Sequence, residues 1–172
     1  MKMKYVFLIC ILVITMLLAI GCGEDKVAED GDTVSVHYTG TLDDGSQFDS
    51  SVGKDPLEFV IGAGNMIPGF ENAVRGMKVG ESKTITLSPD EAYGEYTEEL
   101  IATVSREELP DDMDIEVGRQ LQITLEGGGI IVATIIEISE ETVTLDANHR
   151  LAGKELTFEI ELVNLEPAEK SG

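Results

Sequence analysis

One short helix start constrains the fold of this chain more than any other stretch. The residues at 66–70 are Met-Ile-Pro-Gly-Phe, and Pro68 suits the first turn of a helix, where its missing N–H costs nothing. The apolar residues that follow recur at helical spacing, namely Phe70, Ala73, Val74 and Met77. The sequence therefore predicts a helix with one apolar face.

A strand pattern leads directly into this helix. Apolar residues alternate over 57–61, and Gly62 and Gly64 then turn the chain. An apolar strand, a tight turn and a helix start together predict the floor of a small pocket. We expect a ligand of this pocket to lie on Ile67 and Phe70.

The first 22 residues are typical of an export signal and not of a folded domain. Lys2 and Lys4 precede an apolar run over 5–20. The ending at 18–22, Leu-Ala-Ile-Gly-Cys, resembles the lipobox of lipoproteins, in which Cys22 would become the lipidated first residue. An uncleaved membrane anchor is the alternative. Either interpretation predicts a protein held at the membrane outside the cytoplasm, in a prokaryotic cell envelope.

Cysteine use and charge narrow the classes of protein further. The other cysteine, Cys10, lies within the signal, so no disulfide is expected within the mature chain. Residues 23–30 are short and polar, and predict a tether. The formal net charge is -21, and such an acidic surface repels phosphate backbones and anionic lipid. We therefore expect no nucleic-acid partner.

Strand patterns divide the rest of the chain into two parts. Apolar and polar residues alternate from 34 to 39, and a final strand is predicted over 156–162. Between them the composition changes at 98–112, which is mostly acidic, and strand patterns follow over 121–145. This order predicts a small all-β module at 97–146, inserted into a first domain formed by 31–96 and 147–167.

An ordered set of short motifs resembles the FKBP-type prolyl isomerases. Each motif is weak by itself, but their order and spacing together are specific. They are Val-His-Tyr-Thr-Gly at 36–40, Phe-Asp-Ser-Ser at 48–51, Pro-Gly-Phe-Glu at 68–71 and Ala-Tyr-Gly at 92–94. The segment Asn-His-Arg-Leu-Ala-Gly-Lys at 148–154 is similar to the closing segment of the SlyD-like subclass, which carries an inserted flap domain.

The resemblance implies a fold and an activity. The fold would be α+β, a curved antiparallel sheet wrapped on one short helix, with the small all-β flap domain inserted. The activity would be cis/trans isomerisation of X-Pro bonds, with chaperone activity in the flap. The implied partners are unfolded or proline-containing polypeptides. The implied pocket comprises Tyr38, Phe48, Asp49, Leu57, Met66, Ile67, Phe70, Tyr93 and Phe158.

Four of these residues would act on the substrate directly. Tyr93 would donate its hydroxyl to a substrate carbonyl, the Ile67 N–H could hold another, and Phe48 would form a wall. Asp49 would accept from Tyr38 or polarise the twisted amide; alternatively, it is a turn residue that bonds its own backbone. For the apolar residues the alternative is ordinary core.

Two other readings of the whole chain stay open. One is an envelope-anchored holdase chaperone with little or no isomerase activity, and the other is a structural surface lipoprotein. No cofactor is expected, and no metal, because His37 and His149 belong to no cluster with metal-ligand spacing. A monomer is expected, since both strand-rich parts look self-contained.

Overall fold

The computed structural model describes residues 26–110, 113–124 and 127–168 of the 172-residue chain. The leader with Cys22 lies outside these residues. The helix and strands, in chain order, are β1 Thr33–Thr41, β2 Gln47–Ser50, β3 Leu57–Val60, α1 Pro68–Val74, β4 Ser82–Leu87, β5 Ile101–Ser105, β6 Gln120–Thr124, β7 Ile130–Ile138, β8 Thr142–Asp146 and β9 Leu156–Glu166. One short helix with antiparallel sheets confirms the predicted α+β class.

The first sheet has five antiparallel strands and contains the longest pairing in the molecule. β9 lies between β1 and β4, and the other edge of β1 pairs with β2 at one end and β3 at the other. A register shift between Ser35 and Val36 interrupts the β1–β9 ladder, and such a bulge bends a sheet. The inward residues Val34, Val36 and Leu162 are fully buried.

Helix α1 packs its apolar residues into this sheet, as the spacing predicted. Pro68 occupies the first turn, and Phe70, Ala73 and Val74 are buried. The helix is shorter than the spacing predicted, because the chain leaves helical geometry at Arg75 and Gly76 takes a φ of +84°. Met77 therefore lies beyond the helix, although it is still buried in the same core.

The second sheet comprises four antiparallel strands in the order β5-β8-β7-β6. Its strands all fall within the segment predicted as the flap, and we call it the flap sheet. It has its own small apolar core around Leu121, Ala133, Ile135, Val143 and Leu145. β5 was not predicted: it lies in the acidic stretch and is held by its ladder with β8.

Part of the predicted tether packs against the first sheet. Val27 forms a bridge with Lys78, and Ala28 is buried, with its N–H donating to Met77 O at 2.9 Å. The described part of the predicted tether, residues 26–30, therefore packs against the fold and is not a free linker. The reason is that Val27 and Ala28 are apolar and lie beside the core.

The side chain of Asp32 joins this segment to the other end of the described chain. It is buried, and it accepts from Lys26 Nζ at 3.2 Å, Glu29 N at 3.1 Å and Ala168 N at 2.9 Å. These bonds lower the pKa of Asp32 although burial acts in the opposite direction. Over the described ranges, no helix has both the length and the apolar character needed to cross a membrane.

Candidate functional site

A cavity of about 190 Å³ opens between the first sheet and the start of α1. All nine residues predicted for the pocket line it, together with Asn65, which the sequence did not single out. They come from β1, β2, β3, β9, the turn before α1, the first turn of α1 and the loop after β4. The fold thus brings together residues from position 38 to position 158 of the chain.

Aromatic rings form the floor and one wall of the cavity. The rings of Phe70 and Phe158 meet edge to face with centroids 5.2 Å apart, and Phe48 meets Phe158 in the same way at 5.6 Å. Tyr38 packs edge to face on Phe70 at 5.7 Å. These geometries are the preferred ones for aromatic pairs, so the rings hold each other in place. Phe70 and Phe158 are also buried, so they belong to the core as well as to the cavity.

Gly40 allows two of these rings to meet. A Cβ atom built on Gly40 would lie 2.5 Å from Phe48 Cζ and 3.1 Å from Phe158 Cε1. Any side chain there would push the rings apart. The sequence motif contained this glycine, but its spacing alone did not show that the glycine makes room for the cavity wall.

The start of α1 places a backbone donor at the cavity. Ile67 is extended, with φ -62° and ψ 138°, and its carbonyl accepts from the N–H groups of Phe70 and Glu71. Among the hydrogen bonds of the described residues, none is donated by the Ile67 N–H. This donor is therefore free for a ligand. Met66 and Leu57 are half-buried beside it and pack against the core.

Asp49 and Tyr38 form the polar part of the rim. Tyr38 Oη donates to Asp49 Oδ2 at 2.6 Å, while Asp49 Oδ1 accepts from the N–H of Ser50 at 2.8 Å. The two interpretations of Asp49 therefore both describe real bonds, one for each oxygen.

The hydrogen bond between Tyr38 and Asp49 shifts the pKa values of the two side chains in opposite directions. The hydrogen bond from Tyr38 is the main cause that lowers the pKa of Asp49, assisted by Ser50 N–H and the charges of Lys54 and Arg150. Burial, followed by the bond to Asp49, raises the pKa of Tyr38 to about 12. At neutral pH the rim therefore holds an ionised Asp49 and a protonated Tyr38.

Tyr93 reaches the cavity from the loop after β4. A 3-10 turn over Pro89–Glu91, closed by Ser88 and Glu91, precedes it. The Tyr93 ring is 38% exposed and stacks on His149, with centroids 4.0 Å apart and planes 7° from parallel. The sequence analysis assigned His149 no role, because 55 intervening residues separate it from Tyr93 and hide the contact.

The remaining prediction concerns metals. In the residues that the structure describes, no group of three or more histidine, cysteine or acidic side chains has the arrangement to hold a metal ion. His37 lies on β1, where its Nδ1 is 3.2 Å from Ser51 Oγ.

An aromatic floor with hydrogen-bonding groups at its rim is complementary to an apolar ring and an adjacent carbonyl. The FKBP-type peptidyl-prolyl cis-trans isomerase family model matches residues 24–163 of the chain. The chain belongs to this family, and its enzyme class is peptidyl-prolyl cis-trans isomerase.

Similar proteins support the same assignment. The chain is 40% identical to a short-type peptidyl-prolyl cis-trans isomerase of Methanocaldococcus jannaschii, over 84% of this chain and 98% of that protein. It is 40% identical to the isomerase SlyD of Treponema pallidum, over 74% and 72%. It is 35% identical to the FKBP-type 16 kDa isomerase of Escherichia coli, over 81% and 95%. The SlyD-like subclass predicted from the motifs is thereby supported.

Proposed function

We propose that this isomerase acts on X-Pro bonds of polypeptides outside the cytoplasm, and that its flap sheet gives it chaperone activity. The observation that carries the proposal is the cavity, in which an aromatic floor lies beside two tyrosine hydroxyls and one carboxylate. A prolyl ring is apolar, and the carbonyls that flank it accept hydrogen bonds. The site is complementary to both features.

The reaction breaks no covalent bond. Rotation about an amide crosses a barrier of about 18–20 kcal/mol because the twisted amide loses resonance. A catalyst therefore needs only to bind the twisted form better than the planar forms. The planar amide is the more dipolar form, so an apolar cavity removes more of its solvation and lowers the barrier.

The residues of the cavity divide this task. In the proposed pose the prolyl ring lies on Phe70 and Ile67, with Phe158 as a wall. Tyr93 Oη and the Ile67 N–H each donate to a substrate carbonyl. Such donors hold the chain on one side of the bond, so that rotation takes place on the other side.

We propose a separate role in the reaction for Asp49. Its ionised carboxylate lies at the rim of the apolar cavity. Tyr38 holds one oxygen and Ser50 holds the other, so the carboxylate is oriented before a substrate arrives. We assign it the polarisation of the twisted amide.

The test is cis/trans exchange of a short X-Pro peptide, measured by NMR with the full chain in detergent. Tyr93→Phe and Asp49→Asn should each lower kcat/KM about tenfold, the size expected for one hydrogen bond in a partly desolvated site. Matched controls are Tyr96→Phe and Asp43→Asn, since neither residue lines the cavity. Equal activities in all five proteins would refute the assigned roles.

A second surface supports the chaperone activity. On β7, Ala133 and Ile135 are buried in the flap core, whereas Ile130, Val132 and Ile136 are 66%, 47% and 41% exposed. An exposed row of apolar side chains is typical of a surface that binds other chains. We propose that unfolded polypeptides bind this open face of the flap sheet.

Aggregation of a denatured test protein measures this activity. Val132→Thr with Ile136→Thr should weaken suppression of aggregation several-fold and leave short-peptide isomerisation unchanged. Gln120→Ala with Gln122→Ala, on exposed positions of the neighbouring β6, is the control. Normal suppression by the threonine variant would remove the flap from the proposal. If the holdase alternative holds, suppression persists in the Tyr93→Phe chain and wild-type turnover is negligible.

The proposed location rests on the leader sequence. Lipidation at Cys22 would anchor the protein to the envelope membrane, and we propose that it acts there as a monomer. Palmitate labelling of cells that express the chain should mark the wild type and not Cys22→Ser. Label on the serine variant would refute lipidation at this residue.

A further inference from the structure

The two tyrosines of the cavity are held in different ways. Tyr38 lies on β1 and packs against both Phe70 and Phe158, so the sheet and two core rings fix it. Tyr93 lies on a loop, and among the aromatic pairs of the described residues its ring has one partner, His149. A donor that must meet a carbonyl needs a fixed ring, and the backbone bonds of its loop, such as that from Gly94 N–H to Pro89 O, do not fix the ring.

His149 is itself held firmly by the backbone around it. Its Nδ1 accepts from the N–H of Leu151 at 3.2 Å, and its carbonyl accepts from the N–H of Ala152 at 2.8 Å. Leu151 and Ala152 are buried in the first domain. The imidazole is thus attached to the core by residues that follow it directly.

The residue before His149 is fixed as well. Asn148 Oδ1 accepts from Thr97 N at 3.0 Å, and Asn148 Nδ2 donates to Thr97 O at 2.9 Å and to Asp146 Oδ1 at 2.7 Å. This amide joins the chain entering the flap sheet to the chain leaving it. His149 therefore extends from a segment anchored on both sides.

The Tyr93 loop touches the same segment at a second point. Gly153 N–H donates to Gly94 O at 2.9 Å, next to Tyr93. The stacked rings and this backbone bond together form a two-point contact between the loops. Such a contact restricts rotation of the Tyr93 ring about its side-chain bonds.

We propose that His149 is a positioning residue for the isomerase reaction, whose flat ring holds Tyr93 against the cavity by parallel stacking. The inference rests on the proposed role of the Tyr93 hydroxyl. Nδ1 acts as an acceptor, so the ring proton of the neutral imidazole is on Nε2. Partial burial and then Arg150 lower the pKa of His149, which keeps the ring neutral at pH 7.

Two substitutions separate the ring from its hydrogen bond. His149→Phe keeps a flat ring and loses the acceptor for Leu151 N–H, whereas His149→Asn keeps an acceptor near Nδ1 and loses the ring. With the full chain in detergent, kcat/KM should fall about three- to tenfold in the asparagine variant, the size expected for one aromatic pair. The phenylalanine variant should stay within about twofold of wild type.

A spectroscopic measurement tests the stack without catalysis. The chain has two histidines, so the imidazole Cε1–H signals of His149 and His37 are resolvable by NMR. In Tyr93→Leu the His149 signal should move downfield because the ring current of Tyr93 is gone, while the His37 signal stays in place. An unmoved His149 signal would overturn the proposal, and so would asparagine activity equal to or above that of phenylalanine.

Failure of the proposed function gives a different pattern. If Tyr93→Phe turns over peptide at the wild-type rate, the hydroxyl has no carbonyl role. The contrast between His149→Phe and His149→Asn, together with the NMR shift, then decides whether His149 still holds the Tyr93 ring as a wall of the cavity.

Discussion

The first sheet and the flap sheet bury their apolar residues in different ways. The first sheet packs α1 against its apolar face, and fifteen buried residues of the described chain form one core there. In the described part of the flap segment no α-helix covers the sheet, and five buried residues form its core. Both regions leave apolar surface exposed to solvent, but the surfaces differ in shape.

This difference in shape indicates what each region can recognise. The cavity of the first sheet is concave and has oriented polar groups at its rim, so it can select one ring and one carbonyl. The open face of the flap sheet presents the side chains of Ile130, Val132 and Ile136 in a row. In the function proposed above, such a row binds chains of many sequences. The proposal therefore joins a selective site and a tolerant surface in one chain.

Removal of one large side chain from each core tests most strongly whether the regions are independent. Phe158→Ala should cost about 3–5 kcal/mol of unfolding free energy, and Ile135→Ala about 2–4 kcal/mol, because both side chains are buried. Hydrogen exchange on the full chain should rise in β1 and β9 for the first variant. For the second variant it should rise in β6, β7 and β8.

The opposite outcome is equally clear. If either substitution accelerates exchange in both sheets to the same extent, the two cores unfold as a single unit. The first sheet and the flap sheet would then not be independent folding units.

Gly40→Ala should have a smaller effect, confined to the cavity wall. The new methyl group overlaps Phe48 and Phe158, so we expect a loss of about 1–3 kcal/mol in stability and a marked fall in peptide turnover. The proposed chaperone activity of the flap face should persist at temperatures where the chain is folded. Thermal unfolding and both activity assays provide the measurement, and an unchanged turnover would show that the wall adapts.

The smallest predicted effect concerns pH and the Tyr38–Asp49 pair. The lowered pKa of Asp49 stabilises the fold at pH values above the ordinary carboxyl pKa of about 3.9. This stabilisation is lost as the pH falls through the pKa of Asp49 in the folded chain. Raising of the Tyr38 pKa to about 12 stabilises the fold below about pH 10 and is lost towards pH 12. The contribution of the pair should therefore be constant from about pH 5 to 9.

Tyr38→Phe measures that contribution. Because Asp49 is exposed, the loss should be only about 0.5–1 kcal/mol, constant over the same range and smaller below about pH 4. Urea unfolding of the full chain at stepped pH gives the values. A loss that grows on acidification would contradict the assigned bond.

Much of the first domain could be predicted because its patterns are strong. Pro68 begins the helix, and the alternating residues of β1 and β9 mark strands that are buried on one face. The end of the helix could not be predicted from spacing, since Gly76 overrides the apolar period that continues to Met77. β5 was missed because its sheet position depends on β8 and not on its own pattern.

The same distinction applies to the site. The motif resemblance supplied nine residues of the cavity, all of which line it. It did not supply Asn65, which contributes through a turn, or the contact of His149 with Tyr93, which depends on how two loops meet. Pair contacts between distant loops are set by tertiary packing, and no local period reports them.

The buried carboxylate of Asp32 also brings the two ends of the described chain close together. It binds Lys26 near one end and the backbone of Ala168 at the other, so both ends meet at one point of the first sheet. A circular permutant could join 168 to 26 by a short linker and open instead at Gly127–Gly129, the turn between β6 and β7. The order of the strands along the chain is therefore separable from their order in space, and the proposed lipid anchor could be moved from the first sheet to the turn between β6 and β7.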